Sequence, residues 1–130
     1  MSAQARRYTE EHEWLTADGE HEGRAVFRLG ITEFAQDELG DVVFVELPEV
    51  DAEYSTGDEI GTIESVKAVA ELYTPLAGQI VAVNEKVTDT PELLNEDPLG
   101  EGWLVRIAVD DAAAVEALMD ADAYEKFLAS

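Results

Sequence analysis

Among the residues able to do chemistry, one lysine stands apart. Two apolar runs, Glu59–Glu64 and Ala68–Tyr73, are separated by Ser65-Val66-Lys67 alone, and the only other lysines in the chain are Lys86 and Lys126. Two strand-like runs joined so tightly predict a hairpin with Lys67 at its tip, its side chain projecting from the body where another protein could reach the amine. A solvated tip lysine without a role is the plain alternative. The carboxyls offer a second chemistry, because paired acids act as general acid and base in reactions such as glycoside hydrolysis, but no pair in this sequence is singled out. His12 and His21 lie among Glu10, Glu11, Glu13, Glu20 and Glu22, yet no helical His-Glu spacing or third strong ligand makes them a metal site. Gly19, Gly23 and Gly30 lack the Gly-Lys-Ser/Thr ending of a phosphate loop. Cysteine is absent, which removes disulfides, thiolate nucleophiles and iron–sulfur ligation. Any redox sulfur chemistry must therefore arrive on a cofactor.

Charge narrows the class of partner. Thirty acidic against eight basic residues in 130 leave a net charge of −22, which argues against binding nucleic acid or anionic lipid. Such self-repulsion opposes compaction at low ionic strength and is screened by molar salt, so the composition reads as that of a halophilic cytoplasm, with an ordinary acidic carrier as the alternative. A hydrophobic fraction of 46% in well-spaced runs can supply a core and argues against disorder. No run reaches the roughly 20 apolar residues that span a bilayer, and Arg6-Arg7 is followed by Tyr8-Thr9-Glu10-Glu11 rather than by an apolar signal core. The expectation is one cytoplasmic domain over residues 1–130, with residues 1–7 a flexible N-terminus.

The elements that must position Lys67 are mainly strands. Apolar runs bounded by turn residues predict strands at His12–Thr16, Arg24–Leu29, Val42–Leu47, Glu59–Glu64, Ala68–Tyr73, Gln79–Val83 and Trp103–Val109. In the last of these, Trp103, Val105, Ile107 and Val109 share one face, which reads as a half-buried strand. Thr32 can cap a short helix that ends at Gly40 and turns Phe34, Ala35 and Leu39 inward. Asp110 or Asp111, and then Asp120 or Asp122, can cap helical turns through Leu128. Gly40–Glu46 resembles Gly78–Asn84, and Gly57–Ile63 loosely parallels Gly100–Arg106. Two related β-units facing each other would explain this, as would the small alphabet of strands.

Glu64-Ser65-Val66-Lys67-Ala68 resembles the modification motif of the H-protein family of the glycine cleavage system. The likeness continues through Tyr8-Thr9-Glu10-Glu11-His12-Glu13-Trp14, Gly30-Ile31-Thr32 to Leu39-Gly40-Asp41, Val43–Pro48, Tyr73–Gly78, Asn84-Glu85, Pro91–Asn95 and Gly102-Trp103-Leu104. It covers residues 8 to about 128. The family usually has glycine where this chain has Asp51, a residue that tolerates a left-handed backbone at modest cost. In a biotin carrier the hairpin lysine sits between methionines, and Val66 and Ala68 argue against that relative.

The resemblance implies a mainly β, barrel-sandwich hybrid fold of lipoyl/biotinyl-domain type, with a short helix near residues 32–39 and a C-terminal helix. It implies lipoate bound as an amide on Lys67 and a non-catalytic carrier role. The partners implied are a pyridoxal-phosphate glycine decarboxylase, a tetrahydrofolate-dependent aminomethyltransferase, dihydrolipoamide dehydrogenase and a lipoylating enzyme. An H-like protein that donates lipoyl groups to other enzymes is the alternative. Glu64 would help the lipoylating enzyme identify its target, and Glu13 lies in the region resembling the family's arm-contacting segment. Strand alternation would place Lys67, Val69 and Glu71 on one face, so that Glu71 also approaches the arm.

Overall fold

Alternation along the strands sorts the apolar residues onto two surfaces that share one core. The computed structural model describes residues 6–129. Residues 1–5 of the expected flexible N-terminus lie outside the described residues, while Arg7 and Tyr8 form β1 (Arg7–Tyr8), with Arg7 opposite Leu15 of β2 (Glu13–His21). A six-stranded antiparallel sheet has the order β1-β2-β3-β9-β8-β5, completed by β3 (Arg24–Ile31), β9 (Val105–Val109), β8 (Gly78–Val83) and β5 (Glu53–Tyr54). A three-stranded antiparallel sheet has the order β4-β6-β7, from β4 (Val42–Glu46), β6 (Glu59–Ser65) and β7 (Val69–Tyr73). Leu15, Leu29, Ile80 and Ile107 of the larger sheet and Val45, Ile63 and Leu72 of the smaller one belong to a single buried cluster. The mainly β expectation holds, as two sheets rather than a closed barrel.

The faint repeat finds a physical counterpart. Its first copy contributes β4 and β6, which pair in the smaller sheet, and its second contributes β8 and β9, which pair in the larger. The registers differ by one residue: Val45 stands opposite Ile63, whereas Val83 stands opposite Val105 rather than Arg106.

Helix α1 (Glu33–Leu39) forms where expected, with the Thr32 side chain accepting from Ala35 N and Gly40 closing it at φ 77°. Leu39 is buried, but Phe34 is 40% exposed, a correction to its inward assignment. Phe34 instead packs on the His12 ring, at 4.5 Å between centroids. Two short helices, α2 (Glu85–Asp89) and α3 (Leu93–Glu96), fill a stretch assigned to connections. The Asn84 side chain caps α2 and donates to the carbonyls of Glu101 and Trp103, fastening the segment to the approach of β9. Strand β9 is not half-buried: Leu104, Val105, Ile107 and Ala108 are all essentially inaccessible, because this strand is central and only Arg106 reaches outward.

The chain ends in α4 (Ala113–Glu116) and α5 (Ala121–Ala129), with Asp111 Oδ1 accepting from Ala113 N and Asp120 Oδ1 from Ala123 N. Asp51 adopts φ 78°, the left-handed geometry its position demands, and its N–H donates to Ile80 O as the chain crosses from one sheet to the other.

Candidate functional site

Ser65 sets the geometry of the hairpin tip. Its Oγ accepts from Lys67 N at 3.3 Å and Ala68 N at 3.0 Å and donates to Ala68 O, while Ser65 N donates to that same carbonyl at 2.8 Å. A serine that satisfies the backbone of a tight turn in this way costs little and fixes the turn's shape. Val66 N donates to Asp41 O, tying the tip to the start of β4. Lys67 is exposed, and its ammonium forms no ion pair among the described residues. Its stem does not project freely from the body as expected. A Cβ added to Gly40 would lie 3.3 Å from Lys67 Cε, so the aliphatic chain rests over the glycine that ends α1.

That glycine is itself held. Asn95 of α3 donates from Nδ2 to Gly40 O and to Gln36 Oε1, and its Oδ1 accepts from Val42 N. One side chain thereby joins the end of α1 to the beginning of β4. Nothing in the local pattern around Asn95 marks this junction, which needs an amide with both donors and acceptor engaged.

Beside the hairpin lies a largely apolar cleft of about 300 Å³. On one side are Ala68 and the edge strand β7 from Val69 to Leu72, with Ile63 of β6; on the other are Glu11, His12, Glu13 and Ile31 with Phe34, Ala35, Glu38 and Leu39 of α1. Lys67 stands at one end, since Ala68 follows it and Leu39 precedes the Gly40 on which its stem rests. Glu13 lies toward the other end, its Oε2 accepting from Tyr73 N at 3.2 Å. Between Ala68 and Leu72 a strand covers roughly 13 Å.

The sequence-predicted carboxylates occupy three different environments. Glu13 is only 3% exposed, and burial pushes its carboxyl up to about 8 despite hydrogen bonds from Tyr73 N and the Thr9 hydroxyl. A neutral acid rather than a standing negative charge thus faces the cleft near pH 7. Glu71 lies in the opposite wall and is exposed. It shares an outward face with Val69, but Lys67 belongs to the turn, so the strand period expected to join all three begins only at Val69. Glu64 is exposed on β6, opposite Phe44 on one side and the cleft-lining Val69 on the other, and does not itself line the cleft.

A second group in the wall was not anticipated. His12 has a left-handed backbone, φ 66°, and its Nδ1 is 2.8 Å from the Tyr124 hydroxyl, which is also 2.8 Å from Thr32 Oγ1. Tyr124 stacks on Tyr8 at 4.6 Å, and burial raises its phenol above the usual range, keeping the hydroxyl protonated. Helix α5 thereby braces both the His12 turn and the cap of α1. The signal lay in Tyr124 as the buried aromatic of an otherwise acidic terminal helix, but its partner across the fold is invisible to local pattern.

Comparison with known proteins gives a consistent result. A family model described as glycine cleavage H-protein matches residues 6–130. A glycine cleavage system H protein from Pseudoalteromonas atlantica is 53% identical over 119 residues, spanning 92% of this chain and 89% of that protein. One from Listeria monocytogenes serotype 4b is 54% identical over 121 residues, 93% of each chain. The crystal structure of a glycine cleavage system H protein from Mycobacterium marinum matches with a TM-score of 0.85 at 39% identity, over 98% of both chains.

Proposed function

The chain belongs to the glycine cleavage H-protein family, and we propose that it is that system's lipoyl carrier, bearing lipoate as an amide on Lys67. The observation that carries this reading is the placement of one exposed, unpaired lysine on a Ser65-pinned tip at the end of an apolar cleft. The residues fit the group. The cleft's strand wall has a length that an extended acyl-lysine chain can follow, and its lining suits a hydrocarbon arm. Lipoate held there supplies a redox-active sulfur pair to a chain that has no cysteine of its own.

The protein's own residues position and shelter. Ser65 and Gly40 fix where the tether begins, and tethering keeps the carried aminomethyl group at high effective concentration for each enzyme in turn. Glu13 and Glu71 face the cleft from opposite walls. A cationic amine brought against Glu13 favours its ionised form, so a carboxyl kept neutral by burial becomes a charge-assisted hydrogen-bond acceptor when its cargo arrives. The partners on this reading are the pyridoxal-phosphate decarboxylase that supplies the aminomethyl group, the folate-dependent transferase that removes it, dihydrolipoamide dehydrogenase, and the enzyme that attaches lipoate. The protein itself catalyses none of these steps and works as one carrier domain in the cytoplasm. No helix among the described residues is long and apolar enough to cross a membrane.

Intact mass tests the site. Incubation with lipoate, ATP and a lipoate ligase should add one lipoyl group to the wild type and none to Lys67→Arg, whose guanidinium keeps the charge but stays protonated. Addition to Lys86 or Lys126, or to the arginine variant, overturns the assignment.

The high-salt setting rests on charge alone, with −22 on 130 residues. The thermal midpoint should rise between low salt and molar potassium chloride as screening weakens carboxylate repulsion. An unchanged midpoint removes that reading and leaves the carrier intact.

A further inference from the structure

Among the described residues that line the cleft, only His12 has a nitrogen in its side chain. The half-buried ring lies beside those of Phe34 and Phe127, at 4.5 and 5.9 Å between centroids, and the His12 carbonyl accepts from Thr32 N. Its Nδ1 is taken up by the Tyr124 hydroxyl, and Tyr124 does not line the cleft, so the ring nitrogen left for the cleft is Nε2. No partner for Nε2 is found among the described residues. Counting hydrogens fixes the direction of the chain behind it. Thr32 Oγ1 already accepts from Ala35 N as the cap of α1, and Thr32 is 2% exposed. If Tyr124 donated to Thr32, the threonine hydrogen would be buried with no acceptor among the described residues, which is costly. With Thr32 donating to Tyr124 and Tyr124 donating to Nδ1, every hydrogen is used. The neutral ring then carries its own hydrogen on Nε2.

We infer that His12 binds the loaded arm, donating from Nε2 to the sulfur that carries no cargo, with Tyr124 and Thr32 as the positioning residues that hold it in that tautomer. The inference deepens the assignment of Lys67 as the carrier lysine and rests on it. When glycine is loaded, the electron pair of the bond broken to release carbon dioxide forms the C–S bond. The S–S bond breaks, and the second sulfur keeps that pair and takes up a proton as a thiol. The far end of the arm then offers a cationic amine and a thiol side by side. Glu13, next to His12 in the chain, accepts hydrogen bonds and suits the amine. A ring N–H repels a donor and suits the sulfur, above all as a thiolate. An acceptor beside a donor thus admits the loaded end in one orientation, amine toward Glu13 and free sulfur toward His12.

The test compares the wild type with His12→Asn and His12→Gln. Asparagine tolerates the left-handed backbone at this position, φ 66°, but its short amide leaves the Nε2 position empty, whereas the longer glutamine amide reaches it. Each protein is lipoylated, loaded with glycine by a glycine decarboxylase, and alkylated with iodoacetamide across a range of pH, with the loaded species followed by intact mass. Iodoacetamide captures the thiolate, so the rate traces the titration of the free thiol. Its midpoint should lie about one unit lower in the wild type than in His12→Asn, with His12→Gln between them. Glu11, Glu13, Glu38 and Glu71 face the same cleft in all three proteins, so the difference reports the donor. In the wild type alone, ring nitrogen NMR should place the His12 hydrogen on Nε2, and that signal should move on loading. Equal midpoints in the wild type and His12→Asn overturn the inference, as does a glutamine variant no better than the asparagine one. So does a hydrogen found on Nδ1, or an Nε2 signal indifferent to loading; each of these leaves the carrier reading standing. A wild type that takes no lipoyl group overturns the carrier reading and the inference together.

Discussion

The two sheets treat charge in opposite ways. On the larger one, Asp18 Oδ2 accepts from Arg28 Nε at 3.0 Å and from Arg106 Nε at 2.7 Å, while Arg24 pairs with Asp110 at 2.8 Å and donates to Gln79. The guanidinium of Arg28 also lies 5.5 Å from the Trp103 ring. The smaller sheet carries Glu46, Glu59, Glu64 and Glu71 on its strands without a single basic residue. A chain with eight basic residues against thirty acids has few cations to place, and those within strands, Arg7, Arg24, Arg28 and Arg106, all lie on the larger sheet. The face beside Lys67 is left acidic and partly apolar. Paired charges tie the larger sheet together, whereas the strands of the smaller sheet make no ion pair among the described residues.

Glu13 joins the two regions and gives the largest test of the contrast. It lies on β2 of the larger sheet and accepts from Tyr73 N of β7 in the smaller. Its carboxyl, raised by burial from 4.5 to about 8, keeps its proton in the folded chain at pH values where the unfolded chain has lost it. Its contribution to stability is therefore fullest below about pH 4.5, declines as pH rises toward 8, and is level beyond. Glu13→Gln removes that titration while preserving shape. The stability of the wild type relative to Glu13→Gln should fall by an amount on the order of a few kcal/mol from pH 5 to pH 8. Urea unfolding at several pH values in molar salt measures it, with overall charge repulsion screened in both proteins. A difference independent of pH would show that the carboxyl is as well solvated as its neighbours on the smaller sheet.

Local pattern made much of this legible. The hairpin around Lys67, the Thr32 cap and the Gly40 stop are each decided within a few residues, and each is found, whereas the left-handed turn at Asp51 was visible only through the glycine that the family resemblance places there. What local pattern could not supply is what lies across the fold. Glu13 is buried because β2 passes beneath the end of β7, sixty residues away in sequence, so among thirty acids nothing marked it as the desolvated one. Phe34 was assigned inward by helical spacing and faces His12 instead, because the left-handed turn at His12 brings that ring over α1. Alternation along residues 103–109 gave the correct faces, but the central position of β9 decides that both are covered. Asn84 before Glu85 is a helix start that sequence carried openly, and the short α2 after it was missed because its apolar face is little more than Val87.

Single substitutions on the two sheets should separate paired from unpaired charge by a smaller margin. Asp18→Ala leaves Arg28 and Arg106 facing each other without their shared acceptor, on side chains 44% and 35% exposed. Screening keeps each such pair modest, and losing both should cost about 1–2 kcal/mol at low salt. Glu46→Gln removes a carboxylate that faces Thr62 and, beyond it, Glu71 across the smaller sheet. Like charges across a sheet repel, so this change should stabilise slightly at low salt, within about 0.5 kcal/mol, and do nothing once molar salt has shortened the range of repulsion. Urea unfolding of both variants at low salt and in molar potassium chloride makes the comparison. Destabilisation by Glu46→Gln of the size expected for Asp18→Ala would mean that the smaller sheet's acids also hold the fold.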